Sequence, residues 1–220
     1  APADAASAPE VTAPPPASVN VDEVADGVWH LTGQSHHSVV VEFSDYLMLI
    51  EAPQNDTRAL AVIAKARELR PDKPLTQLVN THHHFDHSGG VRAAISEGLT
   101  VITHQGNVDF FERIAARPHT IQPDALAMNP MSVTVEGVED ERTITDGERT
   151  VTLYTVSGAH SETMLMAYLP EARILVEVDV YNPGPNAQSF SAEFFESVQA
   201  RNLSIDRIVP LHAGVAPYSQ

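Results

Sequence analysis

Apolar residues in this chain fall in short runs broken by turn residues, and the spacing of the runs predicts the elements. Residues 28–31 and 38–43 read as strands. Residues 46–51 follow after Ser44-Asp45, which predicts a hairpin. Asn55-Asp56-Thr57 can cap a helix over 58–70, with Leu60, Ile63 and Ala64 as its apolar face and Pro71 as its stop. Residues 75–79 form a short apolar strand. Gly89 and Gly90 then lead into a helix that reaches Glu97 and stops at Gly98. A strand over 99–103 precedes a helix over 108–116, which Arg117-Pro118 ends. From 131 to 156 the pattern is β, interrupted at the hairpin signal Asp146-Gly147. Residues 163–169 and 173–179 pair across Pro170-Glu171-Ala172; a helix over 191–202 and a strand over 207–209 follow. The two halves share a loose order of strands followed by helix, without a visible repeat. Alternation of βα units with hairpins gives the α/β class.

Candidate chemistry sits at the end of the 75–79 strand, in Thr81-His82-His83-His84-Phe85-Asp86-His87-Ser88-Gly89-Gly90. Three imidazoles (His82, His84, His87) and the carboxylate of Asp86 lie within six residues. His82, His84 and Asp86 alternate, so an extended turn would point all three to one side. The same alternation turns His83 away, toward a structural or supporting role. Asp86 and His87 are adjacent and could diverge onto two ions. Imidazole with carboxylate suits zinc or a similar divalent metal. The plain alternatives are a solvated His-rich loop or the trace of an affinity tag. A tag would sit at a terminus, whereas this cluster lies between a strand-like and a helix-like segment.

The pattern His-x-His-x-Asp-His resembles the signature of the metallo-β-lactamase superfamily. Later segments resemble that family's remaining ligand loops, in the family's order. Ser157-Gly158-Ala159-His160-Ser161 looks like the third-His loop, Leu175-Val176-Glu177-Val178-Asp179 like the strand that ends in a bridging Asp, and Val209-Pro210-Leu211-His212-Ala213-Gly214 like the last-His loop. The resemblance runs from about Val28 to His212. It departs at Val178, where the family usually has Gly, and at Glu51, where it more often has Asp; both departures concern residues behind the ligands.

The resemblance implies a four-layer αβ/βα sandwich of two mixed β-sheets flanked by helices. It implies one metal on His82, His84 and His160, and a second on Asp86, His87 and His212, with Asp179 bridging. Two zinc ions are expected, with iron or manganese as alternatives. A metal-bound hydroxide, oriented by Asp86, would then attack a carbonyl-type bond in a small molecule: a lactone, ester, amide or β-lactam. Glu177 is the rival to Asp179. His36 and His37, in the 33–38 loop, either line the pocket or lie on the surface. His30, His104 and His119 read as structural.

Several branches of the superfamily fit poorly. His84 is not the Glu of the di-iron, oxygen-reducing flavodiiron branch. A β-lactamase subclass with a Cys ligand is excluded, since the chain has no Cys. A bridging Asp179 argues against the all-His/Asp β-lactamase subclass. Few residues follow His212, which argues against the C-terminal helical domain of glyoxalase II. An alternative on the same fold is a mononuclear iron oxidoreductase of the persulfide dioxygenase type, using His82, His84 and Asp179 or His160. A non-catalytic metal-binding domain is disfavoured, because the full ligand set is present.

Composition adds bounds. With 13 basic and 29 acidic residues the formal charge is −16. Such a surface disfavours nucleic acid and anionic membrane as partners, and counts against the nuclease branches. No apolar run approaches the ~20 residues that span a bilayer, so no membrane insertion is expected. The absence of Cys rules out disulfides and says nothing firm about redox compartment. The chain starts at Ala1 and is rich in Ala and Pro through Ser18. Residues 1–20 are therefore expected to be a linker or tether, and 21–220 a single domain. A removed signal peptide or an edited chain boundary would each account for this start; the first, the reading taken here, predicts a periplasmic or secreted protein.

Overall fold

The computed structural model describes residues 16–183 and 191–218. Most of the expected Ala- and Pro-rich linker lies outside the described residues. Ser18 is already packed against the fold: its Oγ donates to Gly33 O at 2.8 Å, and its carbonyl accepts from Arg58 at 2.6 Å.

The first sheet has seven strands: β1 (Asn20–Ala25), β2 (Val28–Thr32), β3 (Ser38–Glu42), β4 (Leu47–Ile50), β5 (Leu75–Val79), β6 (Thr100–His104) and β7 (Val135–Val138). Their order in space is their order in the chain. The first four pair antiparallel, and β4 to β7 run parallel. The second sheet has six: β8 (Glu141–Thr145), β9 (Thr150–Val156), β10 (Met164–Leu169), β11 (Ile174–Glu177), β12 (Arg207–Pro210) and β13 (Ala216–Pro217). Here too the neighbours follow chain order, and only β11 and β12 run parallel. Both sheets are mixed.

Helices α1 (Asp56–Leu69), α2 (Phe85–Ser88), α3 (Val91–Ser96), α4 (Val108–Ala115) and α5 (Ala125–Met128) belong to the first half, and α6 (Ser191–Ala200) to the second. Strand β4 is apolar throughout, Leu47-Met48-Leu49-Ile50, because both of its faces are covered. Met48 and Ile50 join Val39, Val41, Leu153, Met166, Leu175 and Val209 in the core between the sheets. Leu47 and Leu49 face the other way, into a second core with Ala59, Val62, Ile63, Ala66 and Phe111 of the helices. The expected αβ/βα sandwich is therefore the observed fold. Among the described residues no helix is long and apolar enough to cross a membrane.

Some local expectations shift. Asn55 caps α1 as expected, accepting from Arg58 N at 3.0 Å. The buried face of α1 is Ala59, Val62, Ile63 and Ala66, while Ala64 is exposed. Strands β1 and β13 and helix α5 were not expected. The most consequential change lies in the metal-binding motif. Residues 85–88 curl into the helical turn α2 instead of staying extended.

Candidate metal centre

The His-rich motif leaves the C-terminal end of β5, deep in the fold. Its backbone is held from several directions. Thr81 N donates to Glu51 Oε1 at 2.6 Å, and Thr81 O accepts from Leu165 N of the second sheet at 2.8 Å. Asn80 Nδ2 donates to His87 O at 3.1 Å, and Gln54 N donates to Asp86 O at 2.9 Å. Gly90 sits against Ala59 Cβ and Ala52 O, where any side chain would collide. That close approach fixes where α2 passes into α3.

Two groups of donors form. His82, His84, His160 and Asp179 offer ligand atoms within 4.8 Å of one another, and so do His36, Asp86, His87 and His212. The helical turn places Asp86 and His87 in the same group, so they do not diverge. Nor does Asp86 share a side with His82 and His84, because the chain is no longer extended there. His83 stays outside both groups. Its ring stacks edge-on to Phe110, with centroids 5.7 Å apart, and lines a 740 Å³ cavity beside α2 with Phe85 and Ile114. Among the others, His104 Nδ1 accepts from Gly106 N, and His119 pairs with Asp124 at 3.0 Å.

Asp179 stands between the groups. Its Oδ2 lies 3.3 Å from His82 Nε2, 3.1 Å from His87 Nε2 and 3.0 Å from His160 Nε2, and its Oδ1 lies 2.6 Å from His212 Nε2. Glu177 points elsewhere. It is fully buried and accepts from Tyr181 N at 3.1 Å. Burial pushes its carboxyl well above the usual range.

Burial alone would also raise Asp179, but the imidazoles of His212, His82 and His87 overcome it and hold the carboxyl far below the usual range. Burial lowers His82, and burial with the neighbouring His82 and His160 lowers His84. At His87 burial is outweighed by Asp179 and Glu51, which raise it to about 10. Glu51 is wholly buried, with Oε2 3.3 Å from His87 Nδ1. Asp179 and Glu51 both adopt left-handed backbone conformations, φ 59° and 70°. For a residue with a side chain this costs about 1–2 kcal/mol. Two strained carboxylates at one site are the kind of cost that functional sites carry.

The donor chemistry fits metal. His82 Nε2 is buried and makes no hydrogen bond. His212 Nε2 and His87 Nε2 face each other at 2.9 Å. Three imidazole nitrogens crowd Asp179 Oδ2, one more than its two lone pairs can serve, whereas divalent cations would satisfy them. Behind the donors, Thr81 Oγ1 lies 3.2 Å from His82 Nδ1, and Glu51 backs His87, as partners that orient ligand imidazoles do.

The sequence pattern that defines the metallo-beta-lactamase superfamily matches residues 31–176. The chain belongs to that superfamily. The chain is 26% identical over 111 residues to a linear primary-alkylsulfatase of a Pseudomonas species, a stretch that is 50% of this chain and 16% of that relative. The chain thus spans about a sixth of the curated relative's length. The fold matches a metallo-beta-lactamase from Pontibacter korlensis with a TM-score of 0.68 at 19% identity, covering 91% of this chain and 94% of that one. It also matches the metallo-beta-lactamase FIM-1 from Pseudomonas aeruginosa in its mono-zinc form, with a TM-score of 0.68 at 18% identity, covering 93% and 92%.

His36 is the residue that sequence reasoning left undecided. It now stands in the second group, with Nε2 3.1 Å from Asp86 Oδ2. No motif marks it, and only contacts with distant parts of the chain bring it in.

Proposed function

We propose that this superfamily hydrolase uses two zinc ions to cleave a carbonyl-type bond in a small molecule: a lactone, ester, amide or β-lactam. The observation that carries this reading is the meeting of two donor groups on one carboxylate, Asp179. His82, His84 and His160 would hold one ion, and Asp86, His87 and His212 the other. Zinc supplies an acidified water, with a pKa lowered to roughly 7, and withdraws charge from a substrate oxygen.

The chain's own residues divide the remaining work. Asp86 is the half-exposed member of its group. With the ions bound, its carboxylate would orient the attacking water and accept the proton that the water loses. His36, and then His87, hold Asp86 below the usual carboxylate range against the effect of burial, so it is ionised and ready to accept. Glu51 and Thr81 keep the His87 and His82 rings in register.

A sulfate ester is the second reading for the bond that breaks, and the likeness to the alkylsulfatase favours it. Metal analysis of the purified chain, joined to a chromogenic screen with and without chelator, tests both. About two zinc equivalents with chelator-sensitive cleavage of lactone, ester or β-lactam substrates supports the first reading, and turnover of alkyl sulfates alone supports the second. About one iron per chain would overturn both in favour of an oxidoreductase.

A further inference from the structure

We propose that His36 is itself a ligand of the second metal position, which then draws on one more protein donor than the first. The inference rests on the dinuclear reading above and goes beyond the ligand set that the resemblance implies.

The 33–38 loop is fastened on two sides. Arg58, almost wholly buried near the start of α1, donates to the carbonyls of Ser18, Thr32 and His36 at 2.6, 3.2 and 3.2 Å. His37 N donates to Leu211 O at 2.8 Å, next to His212 in the other sheet. The loop therefore spans the seam between the sheets at the second donor group. A buried arginine used on three carbonyls is a costly way to hold a surface loop and an effective way to fix a functional one.

The imidazole is fastened too. Nδ1 of His36 lies 2.8 Å from Ser35 Oγ, and Gln54 Nε2 donates to that hydroxyl at 3.1 Å. A partner on one ring nitrogen that fixes the other is the pattern of ligand histidines. Nε2 is the nitrogen aimed into the group, toward Asp86 Oδ2. The ring packs edge-on to His212 and His87, with centroids 4.3 and 5.3 Å apart.

The count of donors then separates the two positions. The first is offered His82, His84, His160 and Asp179. The second is offered His36, Asp86, His87 and His212, with Asp179 Oδ1 beside His212. Zinc in catalytic sites keeps a position open, and closed zinc sites are structural. With His36 the second position is offered five donors and the first four, so the first is the less crowded and the second holds Asp86 and Asp179 the more tightly.

The test uses the full chain, stripped by chelator and titrated with zinc against a chromogenic competitor, and separately with cobalt. Wild type should take up two equivalents. His36→Ala and His36→Gln should both keep the first and weaken the second by about 100-fold. The visible cobalt spectrum should change in the second equivalent only. Circular dichroism establishes that the variants are folded. Glutamine can still hydrogen-bond Asp86 but has no imidazole. If His36→Gln binds the second zinc as tightly as wild type, His36 acts through Asp86 and the proposal is overturned. Unchanged affinity in His36→Ala, or loss of both equivalents in folded His36→Gln, overturns it as well. A wild-type chain that takes up one ion or none overturns the dinuclear reading, and this inference with it. Two ions with unaffected variants overturn the inference alone.

Discussion

The two donor groups differ in how they obtain their negative charge. The first, around His82, His84 and His160, has only the shared carboxylate of Asp179. The second, around His87 and His212, has Asp86 of its own and the buried Glu51 behind His87. They differ in proton affinity as well, with His82 and His84 lowered by burial and His87 raised to about 10. His82 and His84 of the first group are thus disposed to be neutral and ready for a cation, whereas His87 of the second must give up a proton to accept one. One protein has built a ready position and an exchanging position a few ångströms apart.

The sharpest way to break this comparison is to remove one member of the first group. His84→Ala should lower turnover by about 1,000-fold, since an ion that polarises substrate supplies several kcal/mol and each 1.36 kcal/mol is tenfold. His83→Ala, whose ring faces the cavity beside α2, should stay within about threefold. Comparable losses in steady-state rates of the two variants would show that the side-chain directions around α2 are wrong.

A second break falls on the shared carboxylate. Asp179→Asn should deplete both ions, and Asp86→Asn mainly one; elemental analysis after dialysis reads this directly. Glu177→Gln should leave both in place, because Glu177 faces the backbone of Tyr181. Full occupancy in Asp179→Asn would remove the bridge from the comparison.

Proton release sharpens it further. Calorimetric zinc titration near pH 7 in buffers of different ionisation heat should show about one more proton released by the second group than by the first, because His87 holds its proton until about 10. Turnover should also fall as pH drops through about 6–7, first as the acidified water regains its proton and then as the imidazoles do. Equal proton release in the two phases would contradict the contrast between ready and exchanging positions.

The smallest expected effect lies behind the second group. His30 is buried against His37, with nitrogens 3.1 Å apart. Burial, then His37, lowers its pKa from 6.5 to about 4. Protonation therefore opposes folding, so the stability that neutral His30 preserves is complete above pH 6.5 and is lost as pH falls toward 4. The loss is at most about 3 kcal/mol. Thermal melts of the chelated chain should show wild type losing more stability over that window than His30→Gln.

Much of this was legible in the sequence. Strands of the core announce themselves by uninterrupted apolar runs such as 39–41 and 47–50, and α1 by Asn55 and Pro71. Strand β1 escaped notice because it lies at a sheet edge, where Asp22 and Glu23 are exposed and no apolar run forms. Helix α5 is four residues long and depends on distant partners, with Asp56 accepting from Ala125 N. The alternation argument failed at residues 85–88 because tertiary contacts from Gln54 and Asn80 roll the chain into a turn. His36 was undecidable from the sequence for the same reason. Arg58 and Leu211, far away in the chain, place it.

The order of strands in each sheet has a consequence for how the molecule assembles. Both sheets pair their strands in chain order, so each can form from one contiguous stretch of polypeptide. The donors do not divide that way. His36, His82, His84, Asp86 and His87 belong to the first stretch, and His160, Asp179 and His212 to the second. Neither half can chelate as the whole does. The centre comes into being only when the sheets dock, and a cation that binds there draws docking forward by mass action. Metal uptake followed during refolding would therefore report the closing of one sheet onto the other.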